Sequence, residues 1–182
     1  MESVGIPHIR QAASVDENII KLHSQDIGLT VEKTTLSLAK AKAQVVAQDH
    51  PEKFVLGADQ ILECNGVWYD KPKDADAARD HLKQLRGHDH RLVNGLIILR
   101  GSETVWSHVE IARLSMRDFS DAFLESYLQR SGPAILSSVG AYRLEDQGAQ
   151  LFDEIDGDYF TILGLPLLPL LAFLRQEGMI ET

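Results

Sequence analysis

Between residues 30 and 49 the apolar positions Leu36, Ala39, Ala43 and Val46 recur at spacings of three and four. That period belongs to a helix, and the pattern stops just ahead of Pro51, where helical backbone is disfavoured. The next run, Phe54-Val55-Leu56-Gly57-Ala58-Asp59, is short and apolar and closes on a carboxylate. It reads as a buried strand over 54–59 that carries its last residue to the rim of a sheet. Residues 60–69 then form a β-hairpin, with Asn65-Gly66 supplying the positive φ values a two-residue turn needs. Asp74 is placed to cap a second helix that buries Ala78, Leu82 and Leu85, and Gly87 to end it in the left-handed region.

Two further runs, 90–100 and 103–114, are rich in Val, Ile, Leu and Trp and are separated only by Gly101-Ser102. An antiparallel pair is the simplest reading. A third helix is expected over about 118–129, with Phe119, Phe123 and Tyr127 on one stripe and Gly132-Pro133 beyond its end. A strand is expected over 139–144. The apolar stretch 162–174 reads as a buried helix, with Pro166 fitting the first turn of a C-terminal helix that ends near Gly178. That stretch is too short to span a bilayer and is interrupted by Pro166 and Pro169, so no membrane role is expected. No linker or internal repeat divides the chain. The expectation is one α/β domain over 1–182, with helices packed against a mixed sheet.

Composition sharpens this without redirecting it. The 182 residues are 44% hydrophobic and 25% charged, as in a globular protein, and carry a net charge of -9. Such an acidic chain is not built for sequence-independent binding to a nucleic acid polymer, although a small anion in a local basic pocket remains compatible. The single cysteine, Cys64, cannot form an internal disulfide, and the start of the chain has neither the basic opening nor the apolar run of a secretion signal. A cytoplasmic location is the expectation.

Among polar residues, Asp59 at a strand end, Lys42 on a helix and Lys71 just after a hairpin are the first candidates for chemistry. Lysines near a carboxylate suit a polyphosphate, since the cations neutralise phosphate oxygens while the carboxylate holds a divalent metal or takes a proton from water. The residues alone leave both roles open for Asp59, and leave either lysine open to being a solvated surface charge. A buried acid is less ordinary, because desolvating it is costly unless it is paired or metal-bound. Glu17 reads as a polar turn or helix-capping acid. His88-Asp89-His90 is a poor metal motif, because in an extended segment the two rings point to opposite sides. Cys64 has no evident base, and neither phosphate-binding glycine loop is present.

An ordered set of segments gives these residues a setting. Val15-Asp16-Glu17, Leu38-Ala39-Lys40-Ala41-Lys42-Ala43, Gly57-Ala58-Asp59-Gln60, Lys71-Pro72, Leu85-Arg86-Gly87 with His90, Gly140-Ala141-Tyr142 and Gly164-Leu165-Pro166-Leu167 together resemble the Maf family of nucleoside triphosphate pyrophosphatases, over about residues 5–178. The resemblance implies an α/β Maf/ITPase-like fold, with a mixed, twisted sheet, flanking helices and a cleft between two lobes, and a homodimer as a common assembly. It implies hydrolysis of the bond between the α- and β-phosphates of a nucleoside triphosphate with Mg2+ or Mn2+. By motif, Asp59 matches the proton acceptor, Glu17 and Asp59 the metal site, and Lys42 and Lys71 the phosphate contacts. Gln60 and Glu145 match the branch acting on 7-methyl-GTP, where another branch carries Thr and Gln. A carboxylate at the base suits N–H donors of a guanine edge or a cationic methylated purine.

Two departures accompany the resemblance. The family opens with a strand and a loop of the form Ala-Ser-x-Ser-Pro-x-Arg-Arg that serves the phosphates, and this sequence begins after it, so the expected domain lacks its first strand and that loop. Arg10 is no assured substitute, and Asn94 stands where Thr or Ser is common. The alternative expectation is therefore a nucleotide-binding regulatory protein of weakened activity, linked to septum formation.

Overall fold

The computed structural model describes Met1 and residues 4–181; Glu2 and Ser3, part of the chain start considered above, lie outside the described residues. Helices flank a five-stranded antiparallel sheet, as the α/β expectation required. The strands are β1 (Phe54–Cys64), β2 (Val67–Tyr69), β3 (Asp89–Arg100), β4 (Glu103–Met116) and β5 (Phe152–Asp156), in the order β2-β1-β3-β4-β5. The chain divides into two compact units, and β1, β3 and β4 each run through both.

The first unit comprises Met1–Gln60, Asn94–Glu110 and Gly164–Thr182. Its helices are α1 (Glu17–Asp26), α2 (Val31–Asp49) and, later in the chain, α6 (Leu167–Gln176). Asp16 caps α1, accepting from the backbone N–H groups of Asn18 at 3.1 Å and Ile19 at 3.2 Å. Glu17 in the first turn is favourable there, because a carboxylate meets the positive end of the helix dipole. Helix α2 begins on Thr30, whose hydroxyl accepts from Lys33 N–H at 3.4 Å. Its apolar stripe, Ala39, Ala43 and Ala47, is buried with Val55, Ile97 and Leu99. Small residues let the helix lie almost on the strands. A Cβ at Gly57 would stand 2.1 Å from the Ala39 carbonyl oxygen, and one at Gly95 would stand 2.7 Å from the Thr35 carbonyl carbon.

The expected strand over 54–59 does not end at Asp59. Strand β1 continues to Cys64 and includes the first half of the expected hairpin, so Asp59 sits in its middle. Residues alternate buried and half-buried from Phe54 to Ile61, and then Ile61 and Leu62 are both buried. The alternation slips by one where the chain leaves the first unit. An acid in mid-strand reads from sequence as a strand end because it breaks an apolar run, but here an ion pair offsets its burial.

The second unit comprises Ile61–Val93 and Ile111–Leu163. Asn65 and Gly66 turn β1 into β2 with φ of 51° and 83°, as expected, and set the register Leu62↔Tyr69 and Cys64↔Val67. Helix α3 (Ala75–Leu85) is capped by Asp74, which accepts from Ala77 N–H at 2.8 Å, and it buries Ala78, Leu82 and Leu85. Helix α4 (Asp121–Ser131) begins on Ser120 and stops at Gly132. The core of this unit joins these helices to Leu92, Leu114, Met116, Tyr142 and Leu151.

The strand expected over 139–144 is instead a 3-10 turn, Val139–Ala141. Gly140 and Ala141 hold φ of 76° and 59°, which no strand accommodates, and the Ala141 carbonyl accepts from the Tyr127 hydroxyl at 3.2 Å. Strand β5 was not anticipated. It pairs antiparallel with β4, with Leu114 opposite Ile155, and four of its five residues are exposed. Charged Asp153, Glu154 and Asp156 give such an edge strand little β signal, yet they are the kind of residue that discourages further pairing there. The stretch 162–174 is not one helix either. A short α5 (Tyr159–Ile162) ends before Gly164, whose φ is 94°, and α6 restarts after Pro166. Among the described residues no helix is long and apolar enough to cross a membrane.

Candidate active site

Three of the residues singled out from the sequence converge in the first unit. Ala39, Lys42 and Ala43 share a face of α2, and the glycine that admits this face, Gly57, lies two residues before Asp59 on the same side of β1. The close approach brings the Lys42 ammonium to Asp59 Oδ1 at 2.5 Å. The same ammonium donates to Glu17 Oε1, at the start of α1, at 2.7 Å. One lysine therefore bridges two carboxylates supplied by different elements.

The three are not equally buried. The Asp59 side chain is 7% exposed, Lys42 25% and Glu17 42%, so the cluster opens outward through Glu17. Asp59 Oδ2 is buried and has no hydrogen-bond partner. Burial pushes the Asp59 carboxyl above the usual range; the hydrogen bond and charge of Lys42 pull it back without overcoming that effect. Burial by itself would lower the Lys42 ammonium, but the hydrogen bonds and charges of Asp59 and Glu17 outweigh it and hold the group above its ordinary value. Sequence reasoning passed over Lys21. Its positive charge also acts on Asp59, and the available signal was its spacing, one helical turn after Glu17 on α1.

Gln60 follows Asp59 but faces the other way, as adjacent strand residues do. Its amide Nε2 donates to Asn94 Oδ1 at 3.0 Å, and Asn94 is fully buried. A Cβ on Gly164 would meet the same amide at 3.8 Å. Lys71 and Glu145 belong to the second unit. Lys71 is exposed in the loop after β2, and Glu145 accepts from Arg143 Nε at 2.9 Å just after the 3-10 turn. Also in that unit, His90 shares a hydrogen bond of 2.8 Å with the Tyr142 hydroxyl, and burial lowers its pKa to about 4. His88, by contrast, is exposed. The Cys64 thiol donates to the Asp89 carbonyl at 3.4 Å, and burial raises its pKa, which keeps it a thiol.

The chain that brings Glu17, Lys42 and Asp59 together matches a known family over nearly its whole length. Residues 1–177 match the family described as Maf-like protein. This chain belongs to the Maf family. It is 46% identical to a nucleoside triphosphate pyrophosphatase of Granulibacter bethesdensis, with 97% of this chain and 90% of that protein covered. It is 45% identical to a protein of the same name from Paramagnetospirillum magneticum, covering 98% and 92%. It is 42% identical to a 7-methyl-GTP pyrophosphatase of Brucella abortus, covering 100% and 91%. The Maf relationship thus extends through both units.

Whether the cluster suits a divalent cation can be judged from its donors. Glu17 and Asp59 offer hard carboxylate oxygens, and the buried Asp59 Oδ2 has its acceptor capacity unused. Among the described residues no third Asp, Glu, His or Cys joins them. Two carboxylates are too few to enclose a divalent cation, but they match the one or two that Mg2+ commonly takes from a protein while it keeps several waters.

Proposed function

We propose that this chain hydrolyses the α–β phosphoanhydride bond of a nucleoside triphosphate, giving a monophosphate and pyrophosphate. The observation that carries this reading is the buried Asp59, bridged by Lys42 to Glu17 and with Oδ2 left unbonded. Its support is membership of the Maf family and the names of the relatives. Asp59 Oδ2 accepts the proton of the attacking water as that water's oxygen bonds to the α-phosphorus and pyrophosphate leaves. A carboxyl whose proton affinity is raised by burial is a better base than an exposed one. Lys42 and Lys71 bind phosphate oxygens and offset charge that builds on them in the transition state. Glu17 and Asp59 would hold Mg2+ or Mn2+, which when bound withdraws negative charge from the phosphate chain.

Glu145 and Gln60 are assigned to the base, favouring a guanine-type or 7-methylated purine nucleotide. The Asn94 bond orients the Gln60 amide, and Arg143 holds the Glu145 carboxylate. Work in the reducing cytoplasm belongs to the same proposal, and the single cysteine accords with it. Assembly as a homodimer belongs to the same proposal and is read by light scattering. The deciding experiment is pyrophosphate release from a nucleotide panel that includes 7-methyl-GTP, dTTP and UTP, with Mg2+ or Mn2+. Release that disappears in Asp59→Asn supports the reading. No release above that variant overturns it, and nucleotide binding without release would indicate a regulatory protein instead.

A further inference from the structure

We infer that Glu17 and Asp59 form a one-cation site for which Lys42 and the divalent metal compete, so that the metal enters only with a nucleotide whose phosphates take over the lysine. The inference deepens the pyrophosphatase reading and rests on it for the identity of the incoming ligand.

Geometry supplies the first argument. The Lys42 nitrogen lies 2.5 Å from Asp59 Oδ1 and 2.7 Å from Glu17 Oε1. A divalent ion shared by those two oxygens would sit at about 2.1 Å from each if Mg2+ and 2.3–2.6 Å if Ca2+. The ammonium and the metal would thus occupy the same small volume between the same two carboxylates. Neither tolerates the other there, because charges of like sign at that separation repel strongly in a partly desolvated setting.

Ligand supply is the second. With no third acidic, histidine or cysteine ligand among the described residues, the protein offers two carboxylates to an ion that prefers six oxygens. The remainder must come from water and phosphate. Lys42 has the means to yield, since its side chain is a flexible four-carbon stem that is one quarter exposed. Incoming phosphates give the ammonium new oxygens at the moment the metal needs the old ones. The resting lysine is then a stand-in for the metal, and it keeps the two carboxylates together while no nucleotide is bound.

The test measures Mn2+ binding by electron paramagnetic resonance on the whole chain without nucleotide, comparing the native protein, Lys42→Met and Lys42→Arg. Native protein and Lys42→Arg, which both keep the positive charge, should bind Mn2+ weakly. Lys42→Met should bind it at least about tenfold more tightly, since the competing charge is gone. The gain should vanish in Lys42→Met/Asp59→Asn. Adding a non-hydrolysable α,β-methylene nucleotide to native protein should tighten Mn2+ binding. The idea is overturned if Lys42→Met binds Mn2+ no better than the native chain. It is equally overturned, with no variant needed, if the native chain alone binds Mn2+ as tightly as it does with the nucleotide. Pyrophosphate release is scored separately. A chain that turns nucleotides over yet binds free metal tightly loses this inference alone, whereas a chain without turnover that still shows the charge-dependent block loses the pyrophosphatase reading.

Discussion

Replacing Gly57 by alanine tests the link between packing and the candidate active site. The added Cβ would lie 2.1 Å from the Ala39 carbonyl oxygen, 3.0 Å from the Ala39 carbonyl carbon and 2.9 Å from the Ala43 Cβ. Ordinary carbon contacts are about 3.5–4.0 Å, and the nearest atom is backbone, so no side-chain rotation relieves the clash. Helix α2 must move off β1 by more than about 1 Å to bring the nearest approach to an ordinary distance. Overpacking of this kind costs about 1–3 kcal/mol, and a backbone obstruction belongs at the upper end. Alanine also narrows the unfolded ensemble, which returns about 0.4–1 kcal/mol. A net loss of about 2 kcal/mol corresponds to a fall in Tm of about 4–8 °C for a chain of this size.

The same displacement carries Lys42 away from Asp59, because both stand on the contact that Gly57 permits. A misplacement of about 1 Å can cost on the order of 100-fold in rate. Thermal unfolding and steady-state pyrophosphate release on the same preparation read both effects. A Gly57→Ala protein with native Tm and native kcat would refute the argument that this glycine sets the distance between α2 and Asp59. A lowered Tm with unchanged kcat would refute only the coupling to the site.

Asp59→Asn should reduce kcat by about 100- to 10,000-fold, the range for loss of a general base, while leaving nucleotide binding measurable by calorimetry. Stability should fall with acid through His90: its native pKa of about 4 lies below the ordinary 6.5, so the unfolded chain binds more protons between those values. That contribution is complete above pH 6.5 and is lost as pH falls towards 4, about 3 kcal/mol in all. Urea unfolding at several pH values should show His90→Phe with a shallower slope than the native chain across this window, and equal slopes would contradict it. Glu145→Gln should lower kcat/KM for a guanine-type or 7-methylated purine nucleotide relative to UTP; an unchanged ratio would remove Glu145 from base recognition.

Much of this protein was legible in local sequence. The cap at Asp74, the Asn65-Gly66 turn and the apolar stripe of α2 follow from interactions within a few residues, so neighbouring positions carry the signal. The ordered motifs likewise singled out Glu17, Lys42 and Asp59, though as types of residue in a row rather than as an assembled site. Tertiary structure decided where local preference was weak or overridden. Strand β5 forms from exposed acids because β4 offers it a ladder, and residues 139–141 turn with positive φ at Gly140 and Ala141, where a Cβ on Gly140 would lie 2.5 Å from Leu62 and 2.7 Å from the Tyr142 ring. Strand β1 runs on through Asp59 because Lys42 offsets the acid's burial. The bridge itself was beyond the sequence, since Glu17, Lys42 and Asp59 are far apart along the chain. Lys42 reaches Asp59 because Gly57 and the alanines of α2 remove the side-chain volume that would hold the helix away from the strand.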